Sequence, residues 1–101
     1  MPCFQVTLQG HHFVIPVQGG PAAHGFLVFR RVTAGDVIEA KKKAEDILLS
    51  ETRVRDFIRF TEKASADPRW FIRAEKASEL TWLGRLFMRT PEGFIFYESE
   101  A

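Results

Sequence analysis

Several features that commonly reveal a protein's chemistry are scarce in this sequence. Cys3 is the only cysteine among 101 residues, which excludes a disulfide within the chain and fits a reducing compartment. No apolar run approaches the roughly 18 residues that a membrane-spanning helix needs. The first residues lack a basic segment followed by a long apolar run, so secretion is not expected. Together these absences favour a cytoplasmic, water-soluble protein.

An excess of one charge is missing as well. Fourteen Lys and Arg residues stand against 13 Asp and Glu residues, and the formal net charge of +1 gives no global attraction to nucleic acid or to anionic lipid. Any such partner would need a local basic patch. Nucleic acid is therefore a minor expectation, and membrane association is not expected.

Residue patterns that carry catalysis or bind metals are equally sparse. No serine lies in a nucleophile elbow, and Gly19-Gly20 is too short for a phosphate-binding loop. His11 and His12 are adjacent, so on an extended backbone they should point in opposite directions, and no cysteine or carboxylate pattern completes a metal-ligand set. The sequence predicts no catalytic residue, cofactor or metal site, and an enzyme ranks third among the functional hypotheses.

Phenylalanine, in contrast, is abundant. Ten Phe residues occur in a chain that is 46% apolar. A chain of this length forms one domain, residues 1–101, with a single core. Not all of these large rings need fit inside so small a core, so we expect some of them to lie at an interface between subunits.

The first half of the sequence predicts two strands. Residues 3–9 alternate between apolar and polar, as expected of a half-buried strand, and the apolar pattern resumes at residues 13–15. The intervening Gly10-His11-His12 indicates either a bulge that continues the strand or a tight reversal, and we favour the bulge. A loop rich in Pro and Gly over residues 16–21 leads to a second strand at about residues 24–33, apolar on both faces at its start, as in a central strand.

A helix is predicted to begin after Asp36, which forms a capping-box pattern with Glu39. Helical spacing continues to about residue 64, and Ser50 indicates two helical pieces with a bend. The charged residues, Glu45 among them, are placed on the outer side. The predicted buried row of the first piece is Val37, Ala40, Ala44, Ile47 and Leu48.

Two further strands are predicted, at residues 70–76 and 93–98, joined by a connection over residues 78–92 that includes a helical turn at residues 80–83. The element order ββαββ predicts an α+β fold. Its four-stranded, mainly antiparallel sheet should carry one helical layer, in one or two pieces, on one face. The other face retains apolar residues for which the fold has no partner.

Two groups of residues are candidates for interactions. The connection concentrates large apolar side chains beside basic ones, which predicts that it covers the open sheet face, contacts a second copy or lines an apolar pocket. Basic and aromatic residues also alternate after residue 52, a pattern found both in nucleic-acid sites and in ordinary amphipathic helices. The candidates are Trp82, Leu83, Arg85, Leu86, Phe87 and Met88 in the first group and Arg53, Arg55 and Arg59 in the second.

The run GFLVFRRVTAGDVIEAKKKAEDIL at residues 25–48, followed later by GFIFYESE at residues 93–100, resembles a signature of small bacterial proteins of unknown function. Its shared positions are strand starts, a helix cap and a packing row, so the resemblance implies a fold and lends no activity. A fainter likeness to HicB-type antitoxins extends to the strand and the Gly-Asp-x-x-Glu-Ala helix start. The strand lacks the acidic and Pro-x-x-Pro-Gly-Cys elements of that family, so its function is not carried over.

From the sequence we therefore expect a non-enzymatic homodimer, a cytoplasmic protein-interaction module without a cofactor. The alternative is a small-ligand- or RNA-binding module that uses the basic and aromatic residues around Arg53, Arg55, Arg59, Trp82 and Arg85.

Overall fold

The computed structural model describes residues 2–17, 20, 22–81 and 93–97. The described elements are β1 (Cys3–Ile15), β2 (Ala23–Thr33), α1 (Val37–Ser50), α2 (Thr52–Ala64), β3 (Phe71–Leu80) and β4 (Ile95–Tyr97). The strands form one sheet in the order β3-β1-β2-β4, and each pairing is antiparallel. The α+β class and the antiparallel sheet are confirmed, and two separate helices stand between β2 and β3. Neither helix is long and apolar enough to cross a membrane.

The core lies between one face of the sheet and the two helices. Strand alternation sends Phe4, Val6 and Leu8 of β1 to this face, where at most 4% of each residue is exposed. Phe26 of β2 lies among other rings, with its centroid 5.1 Å from that of Phe13 and 5.6 Å from that of Phe57 in α2. The helices contribute Ala40, Ala44, Leu48, Val54 and Phe57 to the same cluster.

The start of α1 contains the half of the predicted capping box that Asp36 supplies, whereas Glu39 reaches the residue before the N-cap and not the N-cap itself. The Asp36 side chain accepts a hydrogen bond from the Glu39 backbone N–H at 2.8 Å. The Glu39 carboxylate in turn accepts one from the Gly35 N–H at 3.3 Å and lies 3.2 Å from Lys43 Nζ. The bond to Asp36 satisfies a backbone donor that a helix start leaves without a partner within the helix.

The predicted buried row of α1 is wrong at two positions. Val37 and Ile47 are 42% and 44% exposed, whereas Ala40, Ala44 and Leu48 are fully buried. Residues spaced by four form the contact row, and two of the three are alanines, so the helix backbone packs close to the sheet.

The third strand continues to Leu80, beyond the predicted residue 76, so the start of the predicted connection is strand and the predicted helical turn does not begin at Leu80. Its pairing with β1 contains a bulge: Thr7 is opposite Lys76 and Leu8 is opposite Ala74, which leaves Glu75 as an extra residue. At this bulge the Ala74 N–H donates to the Glu45 carboxylate of α1 at 2.9 Å. Glu45 is therefore half-buried against β3, which corrects its placement on the solvated side of the helix.

Candidate functional site

The most distinctive local feature is an irregularity at the end of β1. Regular pairing with β2 continues up to His11 opposite Gly25 and resumes with Ile15 opposite Ala23. Three residues of β1, numbers 12–14, therefore lie opposite the single residue His24 of β2. The predicted bulge is confirmed, and it places His24 across the strand pair from His12.

The bulge also changes the directions of the two adjacent histidines. His12 has a backbone φ of 59°, in the left-handed region, so the strand no longer alternates at this point. The His11 ring stacks on Phe71 of β3 with centroids 4.6 Å apart, and the His12 ring reaches the same phenyl ring at 5.7 Å. The expectation that the two imidazoles point in opposite directions is therefore wrong.

Helix α2 fixes the bulged segment through one hydroxyl group. Thr61 is the buried polar residue of the described core, and its Oγ1 accepts a hydrogen bond from the Val14 N–H at 2.9 Å. The same hydroxyl donates to the Phe57 carbonyl oxygen one turn earlier, at 2.8 Å. Because Val14 lies where the β1–β2 ladder is interrupted, the threonine replaces a missing strand partner.

Tyr97 of β4 closes the other side of the bulge by crossing over β2. Its hydroxyl donates to the Gly10 carbonyl oxygen at 2.8 Å and accepts from Gln9 Nε2 at 3.0 Å, although both residues belong to β1. The crossing passes over Gly25, where a Cβ atom would overlap with the tyrosine ring. Glycine at position 25 thus provides the space for the tyrosine to reach β1.

These elements line a cavity of about 510 Å³ that is open to solvent, and we call it the histidine cavity. The β1 bulge, the first residues of β2, the last turn of α2, the loop after α2 and Tyr97 contribute to its walls. All three histidines of the chain line it. The lining residues are His11, His12, Phe13, Val14, His24, Thr61, Ser65, Asp67, Pro68, Arg69 and Tyr97.

The polar groups of the histidine cavity differ in their capacity for a ligand. The hydroxyls of Thr61 and Tyr97 each already donate one hydrogen bond and accept another, so they act mainly as walls. His12 and His24, in contrast, make no side-chain hydrogen bond within the described residues. Arg69 and Asp67 form an exposed ion pair at 3.1 Å, where both charges face solvent. The imidazoles and the guanidinium are thus the groups best placed to meet a ligand.

Two further observations bear on the identity of the site. Within residues 2–17, 20, 22–81 and 93–97, no three His, Cys, Asp or Glu side chains are arranged to hold a metal ion. No family model, curated protein or solved structure matches this chain. The fold therefore defines a class, an α+β protein with a two-helix layer on a four-stranded antiparallel sheet, and the cavity has to be interpreted from its own residues.

The arginines predicted as interaction residues lie on α2, outside the lining of the histidine cavity. The Arg53 guanidinium lies 5.0 Å from the Phe94 ring centroid, on a ring that Arg30 also contacts at 5.5 Å. Arg55 is exposed, and Arg59 is exposed beside Asp56 at 3.8 Å. Their role as an interaction surface stays a prediction.

The candidates Trp82, Leu83, Arg85, Leu86, Phe87 and Met88 all lie outside the described residues. Their predicted roles in covering the sheet, contacting a second copy or lining a pocket therefore stay predictions as well.

The sheet face opposite the helices carries apolar residues at one corner. Leu27 and Phe29 of β2 alternate with the buried Phe26 and Val28, and Ile95 of β4 pairs with Leu27. Ile95 is 55% exposed, and the other two are partly exposed. We call these three residues the outer apolar patch.

Sequence reasoning missed the histidine cavity, although a signal for it was present. His11 and His12 end the regular part of one predicted strand and His24 begins the next, so antiparallel pairing of the two strands would bring all three together.

Proposed function

We propose that this protein is a small-ligand-binding module whose ligand occupies the histidine cavity. The observation that carries the proposal is the convergence of all three histidines on one cavity of about 510 Å³. Small-molecule sites typically measure roughly 300–1,000 Å³ and combine apolar walls with a few convergent polar groups. Phe13, Val14 and Pro68 supply the apolar wall here, and His12 and His24 supply polar groups without a side-chain hydrogen bond in the described chain.

The backbone of His12 supports the same proposal. A left-handed conformation costs a non-glycine residue about 1–2 kcal/mol, and such residues cluster at functional sites. His12 therefore adopts φ 59° at a position where glycine would fit the backbone better. A contribution of the imidazole to ligand binding, beside its contact with Phe71, would offset that strain.

Substitution His12→Gly separates binding from folding. Glycine adopts this φ without strain but loses more conformational entropy on folding, by roughly 0.5–1 kcal/mol. We therefore expect an unchanged or slightly higher melting temperature. Binding of fragments, detected by ligand-observed NMR with a fragment library, should weaken by up to about tenfold, because a hydrogen bond contributes about 0.5–1.5 kcal/mol.

The matched control is Lys42→Gly on the exposed side of α1, which should lower the melting temperature and leave fragment binding unchanged. A library from which no fragment binds the wild-type protein would contradict the proposed function. If His12→Gly binds fragments as tightly as the wild-type protein, His12 does not contribute to the proposed binding site.

The outer apolar patch favours a second function, the homodimeric protein-interaction module expected from the sequence. Leu27, Phe29 and Ile95 are neighbours across two paired strands, and exposed apolar clusters of this kind mark interaction surfaces. Pairing of two patches around a twofold axis would bury the same residues in both copies.

Light scattering behind a sizing column tests this second function. The dimer predicts a mass of about twice 11.6 kDa, and Phe29→Lys should reduce it to the monomer mass. Phe60→Lys is the control, because Phe60 is exposed on α2 and not in the sheet. A monomeric wild-type protein at high concentration would contradict the dimer.

A reducing, cytoplasmic setting is part of the proposal. It is motivated by the cysteine content, since a chain whose one cysteine is Cys3 does not depend on an internal disulfide.

A further inference from the structure

We infer that the ligand of the histidine cavity is an anion: a small organic molecule whose carboxylate or phosphate group is held by His12, His24 and Arg69. This inference rests on the proposed function and adds the chemical class of the ligand.

Three side chains of the histidine cavity can donate hydrogen bonds to a ligand. A guanidinium only donates, and an imidazole donates through one nitrogen when neutral and through both when protonated. Arg69, His12 and His24 therefore present donors from three separate segments: the loop after α2, the β1 bulge and the start of β2. A ligand group rich in acceptors is the natural complement, and an oxyanion offers the most acceptors per atom.

Among the described lining residues the acidic side chain is Asp67, which leaves these donors available. Asp67 already accepts from Arg69 Nε at 3.2 Å and from Arg69 Nη2 at 3.1 Å. Both side chains are about four-fifths exposed, so the pair contributes little to stability and its arginine can be shared with a ligand at small cost. Glu75 lies 3.5 Å from His11 Nε2, so His11 already has an acidic partner. His12 and His24 have no such contact with Glu75.

The opposite charge is less compatible with this lining. A metal ion would need several His, Cys or acidic ligands in one arrangement, and the described residues contain no such group. An organic cation would lie close to the Arg69 guanidinium, and Asp67, the carboxylate among the described lining residues, is already paired with that arginine. An anion meets the donors of Arg69, His12 and His24, and the charge of Arg69 offsets the repulsion from Asp67.

The remaining walls indicate an apolar part next to the acidic group. Phe13, Val14, Pro68 and the Tyr97 ring line the same volume, and the hydroxyl of Tyr97 is already used within the sheet. A volume of about 510 Å³ exceeds what an inorganic ion needs. The expected ligand is therefore an aromatic or aliphatic acid or a phosphate ester.

A matched series of three probes tests this inference directly. Phenyl phosphate and benzoate carry the anion on a benzene ring, and benzyl alcohol has a ring of similar size without charge. Each is titrated into the ¹⁵N-labelled protein while the ring-nitrogen signals of the three histidines are followed. We expect saturable shifts of the His12 and His24 signals with the two anions and much weaker ones with benzyl alcohol. The probe that binds more tightly shows whether phosphate or carboxylate is preferred.

Two variants connect the result to this site. Arg69→Gln removes one ionic contact and should weaken binding of the anionic probes by up to about fivefold, as expected for a largely exposed guanidinium, with benzyl alcohol unaffected. Arg55→Gln removes a positive charge from the exposed face of α2 and should change the binding of neither the anionic probes nor benzyl alcohol. Equal loss in both variants would indicate a general charge effect and would overturn the assignment to the cavity.

The possible outcomes test the anion inference separately from the proposed ligand-binding function. If benzyl alcohol binds at least as well as the anions and shifts the same histidines, the cavity binds small molecules and the anion inference is wrong. If none of the probes shifts the His12 or His24 signal, the anion inference is again wrong, and the fragment screen decides on the proposed function separately.

Discussion

Replacing Ala44 with aspartate should leave the protein unfolded at room temperature. Ala44 has no exposed surface and lies in the contact row of α1, between Ala40 and Leu48. The described core around it is apolar apart from Thr61, so a carboxylate there would have no cationic partner. Burial of an unpaired charge costs at least several kcal/mol, which is comparable to the whole stability of about 5–15 kcal/mol of a typical domain.

The matched control for this variant is Ile38→Asp on the same helix. Ile38 is 81% exposed and lies in the first turn of α1, where an acidic residue interacts favourably with the helix dipole. Circular dichroism should show a cooperative thermal transition for Ile38→Asp and none for Ala44→Asp. A cooperative transition near the wild-type temperature in Ala44→Asp would mean that α1 presents a different face to the sheet.

The second large effect is expected from Gly10→Ala. A Cβ atom at this position would overlap with the ring of Phe26, which is fully buried and surrounded by other rings. Phe26 cannot move away without displacing Phe13 or Phe57. We therefore expect a loss at the upper end of the range of about 1–3 kcal/mol that overpacking a core costs.

Gly20→Ala provides the comparison for Gly10→Ala. No heavy atom lies within 4 Å of a Cβ at position 20, so this variant should be as stable as the wild type or slightly more stable. Urea unfolding of the two variants measures the difference. Equal midpoints would show that Phe26 does not pack over Gly10 as described.

The parts of the fold that could be predicted from the sequence depend on local interactions. The Asp36 and Glu39 cap is fixed by residues three apart, and its hydrogen bond measures 2.8 Å. The alternation in β1 determines which side of the strand is buried, because only one register places Phe4, Val6 and Leu8 in the core. The bulge could be predicted locally as well, because Gly10-His11-His12 interrupts the apolar alternation of the strand.

The rotation of α1 could not be predicted because helical spacing alone permits neighbouring rows. Val37 and Ile47 fit the same periodicity as Ala40 and Ala44. Because their side chains are larger and more hydrophobic, the pattern favours them for burial as much as the alanines. The close approach of helix and sheet selects the small residues instead, and that approach depends on tertiary contacts. The bond from Ala74 N–H to Glu45 is an example, since it joins residues 29 positions apart.

The candidate site was missed because strand alternation was applied to residues where the strand is irregular. His11 and His12 would diverge on an extended backbone, but the positive φ of His12 brings both rings to Phe71. The loop residues Asp67 and Arg69 carry no periodic signal that would place them beside these histidines. They follow α2, whose Thr61 is hydrogen-bonded to Val14 in the bulge, a contact between residues 47 positions apart.

The bulge at Glu75 has a consequence for how the sheet ends. Strand β3 is the edge strand next to β1, and besides the bulge it carries charges of both signs at Arg73, Glu75, Lys76 and Glu79. Irregular, charged edges resist the addition of a further strand. Edge-to-edge growth into fibrils is therefore disfavoured on this side of the sheet.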